Sequence, residues 1–464
     1  MLLVPYYSAQ NNNMTVLHVV NTDSVNGKAV KVRFRGAANS DDVMDFQVFM
    51  SPGDVWTAAV TAGADGIAQV QTADNTCTVP SLGFNTPQAF TTSRLNPNHT
   101  DEAKASGTRE GYVEIFNMAD IPSDKIYTVG GKTAQSALFT AIKHVNAVAP
   151  CSVAGSTAQT TLTDIALENY VLESDAANVG FNTPTGGLMG DWYIINVAQS
   201  TTFAGAATAL TAVKTVGGTD AGRGNFVHFP QNAAAAPTPE ANTSDPLFRV
   251  AFTRNNANAG VTEAALEASN YDLPDMSTPY VTGAGTPSVQ AATLANAIAA
   301  TAVMNEFWTD PAISAATDWV FSMPTRRYAA AVNYKAAGAL PGSVVPAAVY
   351  NASNATHFAV ANTEMSGDKL CVTGITNSPW DREERQPTTP DDVVISPSEP
   401  GAPVLFCGET SVLSFNNGGA TTAGVVSANV AVKDIDVGYQ DGWLKLNTPG
   451  ATAPGLPVLG QAFV

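Results

Sequence analysis

Residues 15–36 read TVLHVVNTDSVNGKAVKVRFRG, two apolar runs separated by a turn that holds Asn26-Gly27. An Asn-Gly pair between such runs is the strongest short-range hairpin signal, because the central residues of the tightest turns adopt positive φ. In the second run Val30, Val32 and Phe34 alternate with Lys31, Arg33 and Arg35. That period of two predicts a half-buried strand, apolar on one face and basic on the other.

The same pattern recurs outward from this stretch. In DFQVFMSPGDVWTAAV, residues 45–60, Phe46, Val48 and Met50 share a face, a Ser51-Pro52-Gly53-Asp54 turn follows, and Val55 and Trp56 begin a return strand. GYVEIFNM, residues 111–118, supplies another strand, and the Gly/Thr/Asn/Pro-rich stretch 61–108 between them reads as a long surface insertion. Later strands are predicted in DWYIINVAQ, NFVHFP, LFRVAFTR, DWVFSMP, RRYAAAVNY, KLCVTGI, DVVISP, PVLFCGETSVLSF, VVSANVAV and GWLKLN. Helical periodicity is confined to residues 133–146 and 288–307, the second preceded by a Thr286-Pro287 N-cap and N1 pair. Residues 233–246, AAAAPTPEANTSDP, have the composition of a linker or exposed loop.

The fold class these signals predict is mainly β, with Ig-like β-sandwich domains, long loop insertions and a few short helices. Residues 1–130 form the N-terminal sandwich, with its insertion near 61–108. Residues 131–340 form a middle β-rich region with helical insertions, and residues 341–464 a C-terminal β-rich region that packs back on the rest.

Composition narrows the functional classes. The 22 basic and 40 acidic residues leave a formal charge of −18, which disfavours nucleic acid and anionic membrane as partners. Charged residues make up 13% of the chain, about half the usual quarter. Such a surface of uncharged polar side chains suits an exported β-rich protein. The apolar start MLLVPYYSAQNNN is broken by Pro5 and soon turns polar. It is too short to span a membrane, for which about 20 residues are needed, and reads as the first strand of a mature chain whose export signal has been removed.

Cys77, Cys151, Cys371 and Cys407 are the only cysteines. Neighbours in sequence pair most simply, Cys77 with Cys151 and Cys371 with Cys407, although four cysteines allow three connectivities and buried free thiols. Neither a nucleophile elbow nor a zinc-protease helix motif is present, and Gly131-Lys132-Thr133 lacks the earlier glycine of a phosphate loop, since position 126 is Ile. The five histidines are scattered. No enzymatic activity is expected. Calcium is the one candidate cofactor, with oxygen ligands in NSDDVMD (Asp41, Asp42, Asp45) and DIDVGYQDG (Asp434, Asp436, Asp441); the rival reading is turn-forming Asp. Five N-x-S/T sequons occur, of which only Asn242 follows an acidic residue two positions earlier in a loop-like context, and it is the glycosylation candidate.

Several stretches together carry a family resemblance: LLVPYYSAQ, VVNTDSVNGKAVKVRFRGAANSDDVMDFQVFMSPGDVWTA, REGYVEIFNM, TDWVFSMPTRRY, WDREERQ and GLPVLGQAF. They resemble a group of largely uncharacterised cell-surface, or surface-layer-like, proteins of Gram-negative bacteria, and run from one end of the chain to the other. The resemblance implies an extracellular location and a coat role, and carries no chemistry. The expected function is a secreted structural protein that assembles with copies of itself into a surface layer, sheath or filament, with outer-membrane polysaccharide as a further partner. The alternative is an exported carbohydrate-binding or carbohydrate-cleaving protein, anchored on Trp380 of SPWDREERQ. On the structural reading the mixed charges of that loop, Asp381, Arg382, Glu383, Glu384 and Arg385, are candidates for ion pairs between subunits or domains. Arg326 and Arg327 of TDWVFSMPTRRY are assigned to structure alone.

Overall fold

The computed structural model describes residues 1–123, 136–168, 170, 176–211, 215–216, 219–220, 228–229, 231, 287–334, 336, 338, 340, 342–351, 354–386 and 404–464. Asn242, the stretch 233–246, Gly131-Lys132-Thr133 and the predicted strands LFRVAFTR and DVVISP lie outside these residues.

The fold is mainly β, in several largely antiparallel sheets. Twelve strands form the first two: β1 (Leu2–Ser8), β2 (Met14–Asn21), β3 (Gly27–Gly36), β4 (Asp42–Met50), β5 (Val55–Ala62), β6 (Ala68–Gln71), β7 (Cys77–Val79), β8 (Gln88–Ala89), β9 (Glu110–Ile121), β10 (Leu188–Asn196), β11 (Thr201–Ala206) and β12 (Thr208–Ala209). The first sheet runs β12-β1-β9-β3-β4-β7 and the second β11-β10-β2-β5-β6-β8. Their facing side chains, among them Val30, Val32, Phe34 and Phe46 against Leu17, Trp56, Val60 and Trp192, share one core. The sandwich expected to end near residue 130 thus takes three further strands from residues 188–209.

Two expectations are corrected here. Neither turn in the opening stretches closes a hairpin: β2 and β5 lie in the second sheet, β3 and β4 in the first. Alternation defines the faces of a strand and says nothing about its partner. Residues 22–26 form a wide crossing, held by Asp23 Oδ1, which accepts from Val25 N (2.8 Å) and Asn26 N (3.0 Å). The hairpin in this region is β3 with β4. Likewise residues 61–108 are no excursion, because β6 and β7 contribute Ala68, Val70, Cys77 and Val79 to buried cores.

The basic face of β3 is the third correction. Every residue of the strand is buried. Lys28 reaches Asp120 (2.5 Å), Lys31 pairs with Asp45, Arg35 with Glu114 (3.2 Å), and the Arg33 guanidinium lies 4.5 Å from the Phe229 ring centroid. Over part of this face pack α2 (Ala137–Ile142), α3 (Thr157–Leu167) and the Cys77–Cys151 disulfide. A preceding helix, α1 (Asp101–Thr108), is capped by Thr100, whose hydroxyl accepts from Ala103 N (3.2 Å).

The rest of the chain forms a second pair of sheets. The third is built from β13 (Ala302–Trp308), β15 (Thr363–Ser366), β16 (Lys369–Trp380), β17 (Val404–Cys407) and β20 (Asp441–Asn447), in the order β13-β20-β16-β15 with β17 also on β16. The fourth runs β19 (Val432–Ile435), β18 (Thr410–Phe415), β14 (Asp318–Ser322), β21 (Leu459–Phe463). Helix α4 (Pro287–Ala297) precedes β13. The helix expected over 288–307 therefore stops ten residues early: Val303, Asn305 and Phe307 alternate with Met304, Glu306 and Trp308 in a strand paired to β20. The fourth sheet serves both cores, since Trp319, Phe321, Leu413 and Phe415 enter the second core and Val320, Val412 and Phe463 the first.

Both disulfides have the expected pairing. Cys371 and Cys407 sit opposite each other on β16 and β17 with Cα atoms 4.0 Å apart. Replacing both by alanine is expected to destabilise the protein by about 4 kcal/mol, the chain-entropy cost of freeing a loop of that length. A guanidinium midpoint that does not move would count against this.

Beside this shared apolar core, polar and charged groups also join the two sandwiches. Arg327 Nη2 donates to both Glu114 oxygens (2.9 and 3.1 Å), and Glu409, which accepts from Arg326 Nε of its own sandwich, donates its backbone N–H to Ala37 O (2.8 Å). Asn39 Nδ2 reaches Tyr334 Oη (3.0 Å) and Asp368 O (2.7 Å), and Tyr334 donates to Asp41 (2.7 Å). Glu110 Oε1 accepts from Asn429 N (2.7 Å). Gly408 fits here without a side chain: at φ +84°, an added Cβ would lie 2.6 Å from Ala37 O. Arg327 thus joins sheets about 200 residues apart in sequence, whereas Arg326 is held within its own sandwich by Glu409 and Leu370 O.

Candidate functional surfaces

Among the described residues two sheet faces remain open. The outer face of the second sheet follows from its register: Met189-Val20-Val55 in one row, Ala206-Asp191-His18-Thr57 in the next, Ala204-Tyr193-Val16-Ala59-Gln71 in the third and Thr202-Ile195-Met14 in the last. Each of these side chains is half-buried or exposed, while the intervening Leu17, Val19, Trp56 and Trp192 are buried. In those rows Asp191 is the one carboxylate and His18 the one imidazole, and the His18 ring lies tilted against Tyr193 with centroids 5.4 Å apart. On a chain of charge −18 this is an almost uncharged surface.

The second open face belongs to the third sheet. Its outward rows are Ala302-Asn447-Thr376, Met304-Lys445-Ser378 and Glu306-Trp443-Trp380, followed by Trp308-Asp441. Trp380 and Trp443 stack face to face, with centroids 4.0 Å apart and planes 6° from parallel. The Arg382 guanidinium lies 5.5 Å from the Trp308 centroid and is held by Asp441, whose Oδ1 accepts from Nε at 2.6 Å. That hydrogen bond and charge contact raise the Arg382 pKa and lower that of Asp441.

The free edge of β13 beside this face is blunted. Thr317 Oγ1 accepts from Trp308 N and donates to Trp308 O, both at 2.8 Å; Trp319 Nε1 donates to Glu306 O (3.1 Å), and Asn305 Oδ1 accepts from Glu306 N (2.8 Å). Side chains thus occupy backbone groups that another strand would otherwise pair with.

The charged loop after β16 closes on itself. Asp381 accepts from Glu383 N (2.9 Å), Arg385 N (2.8 Å) and Arg385 Nε (2.8 Å), and Arg385 also reaches Glu383 (3.2 Å). Glu384 takes the positive φ of the turn, 64°. These hydrogen bonds of Asp381, Arg382, Glu383 and Arg385 are therefore local, within the loop or to Asp441 of adjacent β20.

The six candidate calcium ligands do not come together. Asp41 is bound to Tyr334, and burial pushes its carboxyl up to about 7. Asp42 lies 3.9 Å from Arg35, and Asp45 pairs with Lys31. Asp434 accepts from Asn417 N (2.8 Å) and Gly419 N (2.7 Å), Asp436 from Gly438 N (2.9 Å), and Asp441 from Arg382. Among the described residues no three His, Cys, Asp or Glu side chains are grouped to hold a metal. One Ser-His-Asp contact does exist: Ser51 Oγ is 3.1 Å from His144 Nδ1, and Asp54 is 3.6 Å from the same nitrogen. A catalytic triad uses both ring nitrogens, one for the nucleophile and one for the carboxylate.

Sequence reasoning found Trp380 and the charged loop but missed Trp308, which fell at the end of the supposed helix. The alternation of Met304, Glu306 and Trp308 was the available signal. Among the described residues no helix is long and apolar enough to cross a membrane. Compared with family models, curated proteins and solved structures, the chain matches none of them.

Proposed function

We propose that this chain is an exported structural protein that assembles with copies of itself outside the cell. The observation that carries the reading is the open outer face of the second sheet. The first sheet is covered on both sides, whereas the second has one face in the core and the other open, with almost no charge on it. Monomeric proteins seldom expose a wide face rich in Val, Ile, Met and Tyr. Five strands and four rows span about 19 Å by 20 Å between outer Cα positions, on the order of 400 Å² before side chains are added and about half of the 800 Å² per partner of a standard interface. Two acidic copies repel at long range, so an uncharged face is where they approach at least cost, and added salt should favour contact. Two disulfides favour an oxidising compartment.

Val16 lies mid-face between Tyr193 and Ala59. Val16→Asp is expected to reduce assembly at least tenfold, read by sedimentation velocity over a concentration series and by negative-stain microscopy with and without a calcium chelator. A wild-type chain that stays monomeric at every concentration, with or without calcium, would sink the proposal.

A further inference from the structure

We infer that the outer face of the third sheet binds a neutral polysaccharide built from flat, equatorially linked pyranoses. The inference stands apart from assembly, which uses the second sheet. The chain has six tryptophans. Trp56, Trp192 and Trp319 fill the cores. The other three, Trp308, Trp380 and Trp443, all lie on this one face in adjoining rows.

Indole rings left at a surface present broad, flat apolar area, and in a pyranose with equatorial substituents the axial C–H groups make a matching flat apolar face. The sugar hydroxyls then need donors and acceptors at the rim. Glu306 lies opposite Trp443, Lys445 one row away, and Asn447 beyond it, its amide 3.0 Å from Thr376 Oγ1. The platform is also held in place before any ligand arrives. Trp380 and Trp443 each cover one face of the other by stacking, and Arg382, clamped by Asp441, lies over one face of Trp308, so a sugar ring would pack on the opposite face of an indole. Side chains already ordered lose less entropy on binding.

Size and charge select the occupant. Three strands and four rows give a strip about 10 Å by 20 Å between outer Cα positions. That is well below the roughly 800 Å² per partner of a stable protein interface, and long enough for several sugar rings in line. The charge of −18 opposes a polyanion, and the Arg382 charge is already matched by Asp441.

The test is affinity electrophoresis of the full disulfide-bonded chain through gels containing mixed-linkage β-glucan, galactomannan or arabinoxylan, with polygalacturonate as the anionic control. Tryptophan fluorescence during titration with cellohexaose gives a second readout. At least one neutral polymer should retard the protein, polygalacturonate should not, and Trp308→Ala and Trp380→Ala should each weaken binding at least tenfold while leaving the melting temperature close to wild type. Val16→Asp, on the other sheet, should bind glycan like wild type, so failure of assembly and failure of this site are told apart. Absence of retardation by all three neutral polymers would overturn the inference. So would undiminished binding by a folded Trp308→Ala/Trp380→Ala double variant, or retardation by polygalacturonate alone.

Discussion

Glu114→Ala is expected to cost about 3–5 kcal/mol of stability, because it removes the carboxylate that two buried guanidinium groups share. Glu114 accepts from Arg327 at 2.9 and 3.1 Å and from Arg35 at 3.2 Å, and all three side chains are at most 2% exposed. The carboxylate stands on β9 and Arg35 on the neighbouring β3, whereas Arg327 comes from the other sandwich. The loss should therefore weaken the join between the sandwiches as well as the first sheet. Glu114→Gln, which keeps the shape and one acceptor, should lose less. Replacing the whole cluster with apolar residues (Arg35→Met, Glu114→Leu, Arg327→Met) should recover much of the deficit, since a buried ion cluster contributes little net stability over good packing. Guanidinium unfolding measures all three variants. A loss below about 1 kcal/mol for Glu114→Ala would mean that water reaches the arginines.

The second large effect is one of pH. Burial pushes the Glu110 carboxyl up to about 7, although Asn429 and Val430 N–H groups hold its charged form. A carboxyl whose folded pKa lies above its unfolded value destabilises the fold fully above the folded pKa. The penalty disappears as pH falls through about 7 towards 4.5. Glu110→Gln, which keeps the acceptor for Asn429 N and removes the charge, should therefore stabilise the protein relative to wild type more at alkaline than at acid pH. Between about pH 8 and about pH 5 the difference between variant and wild type should change by about 2.5 kcal/mol. Taking the difference cancels His228, which burial lowers to about 3, and the amino terminus, which burial lowers to about 6. Thermal melts of both proteins across that range decide the matter: parallel curves would show that Glu110 keeps its ordinary pKa in the fold.

What the sequence made legible was local. The alternation of Val30, Val32 and Phe34 marked a strand, and the cysteine spacing suggested the pairs that form. What it hid depends on partners far away in the chain. Lys31, Arg33 and Arg35 look like a solvated face until Asp45 on β4 and Glu114 on β9 meet two of them and the Phe229 ring meets the third. Trp308, Trp380 and Trp443 come from three separate stretches, and only the ladders β13-β20 and β20-β16 bring them to one face. Even Asn26-Gly27, a turn in either topology, left open whether the chain reversed within a sheet or crossed between two.

The sheet shared by the two cores has a mechanical consequence. Val320 and Phe321 are neighbours on β14, yet one belongs to the first core and the other to the second. A tug on either sandwich is therefore transmitted through the hydrogen bonds of β14 to β18 and β21, and neither half can be peeled away without opening the other. Under load such a body yields as one piece at a single high force, where two beads on a linker would yield in two weaker steps.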